Sequence, residues 1–397
     1  MRRTGIPGFL SLTILMASIC PGILLAQAAR SPLLDSFEQY LAIREASEFR
    51  LQWVPLGPVM NSARVEAVQG DPRSAATMYA AFGSGNLWKT TDHGLTWRPI
   101  FEDQSALGIG DIALAPSDPD VIWLGSGESL KKARNFTMPG TGVFRSDDAG
   151  ETWRNVGLPD SYHIGEIAVH PDDPDIAFAA VQGHFWSTNP NRGLYRTLDG
   201  GESWEHVLYV NERTGANDVV IAPSDPDHVY VSMWENNPGV AGPESGVWYS
   251  SDGGANFTRA RGGFPDGDRT GRTGLAVSWT DPLKVYAFVD NLNRTDRREG
   301  KGEVYCTLDG GMTWNRTHEE ELLNLGSIGW YFVDCYVNPR DDEEIYALGV
   351  QTAHSTDGGK TFHLMGGEVY HLFPNPSEML HLDNCEMWID PGNPDRL

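Results

Sequence analysis

The sequence predicts an all-β fold: a β-propeller with four-stranded blades, seven-bladed, with the last blade incomplete in this chain. Three observations carry that expectation. The 44 glycines and 25 prolines among 397 residues are too many for a helical bundle and suit a chain rich in turns. One turn signature recurs six times. A second signature, in which an apolar run, a Pro/Asp turn and another apolar run follow one another, recurs out of phase with the first. Repeated units of about 50 residues with four short strands each are the mark of propeller blades. Hydrophobic residues at 40% and 13 tryptophans supply a core, which excludes a disordered chain.

The chain opens with Arg2 and Arg3, an apolar stretch from Phe9 to Leu25 broken by Pro21 and Gly22, and the small-residue site Ala26-Gln27-Ala28. That order is the pattern of a secretory signal peptide over residues 1–28, and it places the mature chain outside the cytoplasm: secreted, periplasmic or at the cell surface. No second apolar run reaches spanning length, so no membrane insertion is expected after cleavage. Residues 29–49 form a linker with one amphipathic helix from Asp35 to Phe49, Asp35 and Glu38 being placed as a capping box. Three cysteines then remain, Cys306, Cys335 and Cys385, in no zinc spacing; one disulfide would leave one thiol over.

Residues 50–397 carry the repeats. Phe49 to Leu56 resembles the strand that follows each turn signature and would close the ring. The signature itself, as in Thr197-Leu-Asp-Gly-Gly-Glu-Ser-Trp204, has its shared acid at Asp92, Asp148, Asp199, Asp252, Asp309 and Asp357. Gly accepts positive φ there, and the Asp carboxylate accepts hydrogen bonds from backbone N–H groups across the turn. The expectation is a buried structural staple on the hairpin between strands C and D, followed by an aromatic residue that packs between units. The second signature, as in Ile112-Ala-Leu-Ala-Pro-Ser-Asp-Pro-Asp-Val-Ile-Trp123, joins strands A and B. Its last copy, centred on Asn393, begins the seventh blade near Leu380; the missing B and C strands imply further domains C-terminal to this chain.

A ligand site is expected where the innermost strands begin. Counting seven residues back from each A–B turn position gives Arg64, Asp111, Glu166, Asp218, Gly274, Asp334 and Glu386. Five of the seven are acidic and sit on strands that alternate polar and apolar, which turns them toward a central channel. Crowded carboxylates repel unless a cation, an arginine or a shared proton compensates. Asp111, Glu166, Asp218, Asp334 and Glu386 are therefore the candidate catalytic acids. Asp111, Glu166 and Asp218 are the candidates to hold a divalent cation, and no other cofactor is evident. The long B–C loops, about 126–142, 183–193, 235–246 and 290–302, open on the same face. With Arg64 they offer Glu128, His184, Trp186 and Trp234 as ligand contacts, together with Phe136 and a basic cluster at Arg294, Arg297, Arg298 and Lys301. His163 and His170 flank a strand and read as structural; serine-protease triads and phosphate loops are absent.

The six signatures match the bacterial neuraminidase repeat, or Asp-box. Over residues 50–397 the chain resembles the sortilin-like propellers of large exported bacterial proteins, a group also labelled putative glycosyl hydrolases. The segments that carry the likeness include Gly85-Asn-Leu-Trp-Lys89, His163-Ile-Gly-Glu-Ile-Ala-Val-His-Pro171, Gly183-His-Phe-Trp186 and Trp388-Ile-Asp-Pro391. The chain departs from the family at Asn61-Ser-Ala-Arg64, where Gly-Gly-Arg is common, and at His381-Leu-Asp383-Asn384-Cys385, where a His-rich run is common. The resemblance implies an extracytoplasmic propeller that binds a protein, peptide or glycan on its B–C loop face. The alternative is a sialidase- or xyloglucanase-like glycoside hydrolase using the channel acids. A sialidase would need an early Arg-Ile-Pro; Ala63-Arg-Val-Glu66 stands there instead. A photosystem-type assembly propeller shares only the Asp boxes. With 54 acidic and 30 basic residues, nucleic acid is excluded as a partner.

Overall fold

The computed structural model describes residues 31–49, 64–129, 137–236, 241–265, 269–293, 302–322, 325, 329–365 and 384–397. The expected signal peptide and most of the expected ring-closing strand lie outside these residues. So do Phe136 and the basic cluster from Arg294 to Lys301. A helix, α1 (Pro32–Ala46), precedes the sheets. It starts earlier than expected, with Pro32 in its first turn and Ser31 at its N-cap. Asp35 is thus in the first turn rather than at the cap, its N–H donating to the Ser31 carbonyl.

Six four-stranded antiparallel sheets follow, each in the order A-B-C-D. Blade I is β1 (Val65–Gly70), β2 (Met78–Phe82), β3 (Asn86–Thr90) and β4 (Arg98–Pro99); blade II is β5 (Ile109–Leu114), β6 (Ile122–Ser126), β7 (Val143–Ser146) and β8 (Arg154–Gly157). Blade III is β9 (Ile164–Val169), β10 (Ala177–Val181), β11 (Gly193–Thr197) and β12 (Glu205–Leu208); blade IV is β13 (Thr214–Ile221), β14 (His228–Glu235), β15 (Gly246–Ser251) and β16 (Thr258–Arg259). Blade V is β17 (Thr270–Val277), β18 (Val285–Asn291), β19 (Gly302–Thr307) and β20 (Asn315–Arg316); blade VI is β21 (Asp334–Asn338), β22 (Asp341–Leu348), β23 (Thr352–Ser355) and β24 (His363–Leu364). The core lies between blades, where apolar faces of adjacent sheets interlock. Phe101 and Phe144 meet edge-on at 4.9 Å between blades I and II, as do Trp123 and Trp204 at 6.0 Å between blades II and III.

The seventh blade is a correction. Among the described residues there are six blades, and residues 384–397 contain no strand. This segment has no ladder partner there; other bonds hold it between blades VI and I. Its own turn closes through Arg396 N–H on the Asn393 carbonyl at 2.9 Å, so the last A–B turn exists without its strands. Ile389 packs on Tyr346 and Leu348, and the Arg396 guanidinium donates to the Ala75 carbonyl at 2.7 Å. The Trp388 ring lies where a Cβ on Gly70 would intrude, at 2.4 Å.

The Asp boxes hold as staples, but their acids are not buried: all six are exposed or half-exposed. The reason is local satisfaction. In blade III, Asp199 Oδ1 accepts the Ser203 N–H at 2.9 Å and Oδ2 accepts the Ser203 hydroxyl at 2.6 Å. The buried group is Thr197, two residues earlier. Its hydroxyl donates to Asp199 Oδ1 at 2.8 Å and accepts the Gly201 N–H at 2.9 Å, with Gly201 at φ +89°. Each Asp-box loop also donates one N–H to the A–B turn of its own blade, as Gly200 does to Asp175 at 2.9 Å. Both turn signatures therefore lie on one face, and the A-strand starts and B–C loops lie on the other.

Candidate functional site

The face with the B–C loops is built by strand register. Asp111 stands opposite Gly125, Glu166 opposite Ala180, Asp218 opposite Ser232 and Asp334 opposite Leu348, all near the B-strand exits. A β-bulge precedes Asp111, Glu166 and Asp218 alike, and such bulges re-aim the side chain that follows. The carboxylates of Asp111 and Asp218 reach the next inner strand. Asp111 Oδ2 accepts the Ile167 N–H at 2.8 Å, and Asp218 Oδ2 accepts the Leu275 N–H at 2.7 Å. These two acids tie adjacent blades together.

Asp218 and three further acids line a central channel with a volume of about 480 Å³. Glu166, Asp218, Asp334 and Glu386 line one part of it; Ala168, Val220 and Ala276 line the apolar part beyond. Toward the A–B turns come Pro72, Pro171 and Pro223 with Trp279 and Trp388. Tyr336 donates its phenol to Glu386 at 2.5 Å, and Asp334 accepts the Cys335 N–H at 3.0 Å. Glu166 makes no hydrogen bond or ion pair among the described residues. Burial pushes the Glu166 carboxyl well above the usual carboxylate range, and the charges of Asp111, Asp218, Glu386 and Asp334 push it further. Asp218 rises for the same two reasons, burial and Asp334, with Arg272 opposing; Asp111 rises through burial to about 7. No group of three or more His, Cys, Asp or Glu side chains is arranged to hold a metal ion among the described residues.

The loop candidates separate in the same way. Arg64 pairs with Glu128, whose side chain is fully buried and also accepts the Met138 N–H at 3.2 Å. Trp234 is not at a loop edge: β14 continues through Glu235, pairs Trp234 with Gly215 and leaves the indole 1% exposed. Trp186 is 68% exposed. His184, half-buried, lies against Tyr162 with ring centroids 3.5 Å apart and the planes tilted by 33°. His163, as expected, is structural: it stacks on Phe185 at 4.1 Å, bonds to the Glu128 carbonyl at 2.8 Å and is held neutral to about pH 3 by burial.

Two arginines escaped the sequence reading. Arg192, fully buried, donates to the His184 carbonyl at 2.5 Å and the Ser187 carbonyl at 3.4 Å, on either side of Trp186, and to the Asn236 amide oxygen. Burial lowers its pKa to about 10. Arg272 donates to Asn217 at 2.9 Å and to the Tyr331 carbonyl at 2.8 Å, with Asp334 at 3.8 Å. It lies two residues before Gly274 on β17, so the same-face rule for strands could have found it. Arg192 stands at a loop end, where no periodicity signals burial.

Residues 141–272 match the family described as Sortilin-Vps10, sortilin and neurotensin receptor 3. That match spans a third of the chain, and with the six four-stranded blades it makes the protein a β-propeller that resembles sortilin-like propellers. It is 26% identical over 372 residues, 81% of its length, to a xyloglucanase of Acetivibrio thermocellus, covering 40% of that protein. It is 26% identical over 223 residues to a sialidase of Bacteroides fragilis, 46% of this chain and 38% of the other. Among solved structures, the GH74 xyloglucanase from Xanthomonas campestris superposes with a TM-score of 0.61 at 17% identity, over 86% of this chain and 51% of that one, which shows a common fold. The propeller spans two fifths or less of the curated relatives it matches. No helix among the described residues is long and apolar enough to cross a membrane.

Proposed function

We infer that this propeller acts outside the cytoplasm and binds a glycan on its B–C loop face, with Trp186 as the stacking surface. The observation that carries the reading is the blade III loop. An indole 68% exposed is held between two carbonyls clamped by a fully buried guanidinium, beside the His184–Tyr162 pair. An exposed aromatic on a rigid loop binds a sugar face with little ordering cost. Tyr162 also carries a positive φ of 57°, a strained conformation for a residue with a side chain. The relatives' names favour a carbohydrate over a peptide: several are xyloglucanases and one is a sialidase.

The test is calorimetric titration of the full chain with a xyloglucan oligosaccharide. Binding is expected, and Trp186→Ala should weaken it by about tenfold or more. Undetectable binding to the parent chain, or equal affinity in the variant, sinks the reading. Glycan hydrolysis is the second reading, favoured by Glu166, a channel carboxyl that burial and neighbouring acids push well above the usual carboxylate range, the direction a general acid needs. Release of reducing ends that disappears in Glu166→Gln would put hydrolysis ahead of binding alone.

A further inference from the structure

We propose that the central channel is a second binding site, built for a primary alkylammonium group whose apolar chain lies along the lumen and whose charged end meets Glu166. Three observations converge. The cavity, about 480 Å³, falls in the ~300–1,000 Å³ range of small-molecule pockets. Its chemistry is graded: carboxylates line one part only, and aliphatic side chains, prolines and the Trp279 and Trp388 indoles line the rest. The carboxylates are not equivalent either. Asp111 and Asp218 are bonded to backbone N–H groups, Asp334 to the Cys335 N–H, and Glu386 to Tyr336. Glu166 lines the lumen and makes no hydrogen bond or ion pair among the described residues.

A cluster of carboxylates at one part of an otherwise apolar channel, with Glu166 in it, selects its occupant. A divalent cation would need several convergent oxygens, which are not arranged here. A sugar would forfeit its hydroxyl hydrogen bonds against the aliphatic wall. An alkylammonium satisfies both parts: its methylenes leave water and its three N–H donors meet carboxylate oxygens. The chain's charge of −24 draws cations toward the channel. The groups facing Glu166 are Asp111 on β5, Asp218 on β13, Asp334 and Tyr336 on β21 and Glu386 beyond, while Arg272 on β17 acts on Asp218. Only Arg272 among them is a cation, so an arriving ammonium relieves repulsion. Burial and the neighbouring acids favour the protonated Glu166 carboxyl in the empty channel, and an arriving ammonium favours the ionised form, so binding is expected to release protons to solvent.

The site lies inside the ring rather than on the loop surface, so it stands or falls apart from the glycan reading. Hexylammonium, hexanol and hexanoate are titrated into the full chain by calorimetry, in two buffers of different ionisation enthalpy. Hexylammonium should bind at least about tenfold tighter than hexanol, hexanoate should not bind, and binding should release protons at neutral pH. Glu166→Gln, nearly isosteric, should abolish both the preference and the proton release; Glu166→Asp should retain the preference. Two further arms separate the sources of the ammonium: tighter binding of 1,5-diaminopentane marks a free amine, and tighter binding of a capped Gly-Gly-Lys peptide marks a lysine side chain. Equal affinity for hexanol and hexylammonium, no binding of hexylammonium at millimolar concentration, or an unchanged Glu166→Gln overturns the proposal.

Discussion

The two faces of the ring are made of the same strands and differ in how their polar groups are satisfied. On the turn face the arrangement repeats six times: an exposed Asp bonded within its own loop, a buried Ser or Thr hydroxyl beneath it, and a loop N–H on the neighbouring turn. On the loop face the repetition is partial: Asp111 and Asp218 each bond the next inner strand, and Glu166 at the same offset does not. Acids lie inside the channel, and one arginine, Arg192, is buried without a carboxylate partner among the described residues. A group that recurs in every blade answers a need of the fold. One that occurs once, and is costly to bury, answers a need of one place.

The largest expected effect belongs to the loop face. Arg192→Ala leaves the His184 and Ser187 carbonyls and the Asn236 amide oxygen without their charged donor. It should lower stability by about 3 kcal/mol, since bonds to charged groups contribute about 1.5–3 kcal/mol each and the buried acceptors stay desolvated. Chemical denaturation reads this directly. A midpoint unchanged from the parent would mean that the loop holds itself and Arg192 is incidental.

Opposite titration behaviour separates the faces next. Hydrogen bonds from Thr96, Asn256 and Thr361 pull Asp92, Asp252 and Asp357 down to about 2. Between about 2 and the ordinary value near ~4 the unfolded chain binds more protons, so the stability from these acids is present above ~4 and lost as pH falls through about 2. The channel acids run the other way. Asp111, raised to about 7 by burial, and Glu166 and Asp218, raised with it, bind protons in the folded state that the unfolded chain has released. Stability therefore falls as pH rises from ~4 through about 7. Thermal melts across this range should peak on the acid side of neutrality, and Glu166→Gln should flatten the decline toward neutral pH. A melting temperature that climbs steadily to pH 8, alike in both proteins, would break the contrast.

How much of this was legible follows from the same distinction. The blades were legible because their turn chemistry is repeated: six aspartates at spacings near 50 residues fix the hairpins, and the register then follows from alternation. The convergence of Glu166, Asp218, Asp334 and Glu386 was legible from their common offset. What that offset hid was direction. Asp111 and Asp218 bond backbone donors in the next blade while Glu166, behind the same kind of bulge, does not, and neither the bulge nor that difference leaves a mark in composition. Trp234 was misplaced because β14 extends to Glu235, a length set by pairing with Gly215 rather than by propensity. The exposure of the Asp-box acids was missed because an Asp in a tight turn can satisfy its carboxylate without burial.

The smallest expected effect tests whether the turn face is modular. Thr197→Val keeps the side-chain volume of a 1% exposed residue and removes one hydroxyl. The Gly201 N–H and one oxygen of Asp199 lose a partner, while Ser203 still holds the Asp199 carboxylate through two bonds. One buried donor left unmatched costs about 1–2 kcal/mol. The loss should stay local, because Gly200 still donates to Asp175 and the Trp204 indole to the Val156 carbonyl at 2.7 Å in the preceding blade. The equivalent change at Ser250, to Ala, lies in another blade and shares none of these partners, so the two effects should add. Denaturation of both single variants and the double measures this. Additivity would show six independent staples; a double variant far less stable than the sum would show that the staples act through the whole ring, and repetition on this face would then mean cooperation between blades.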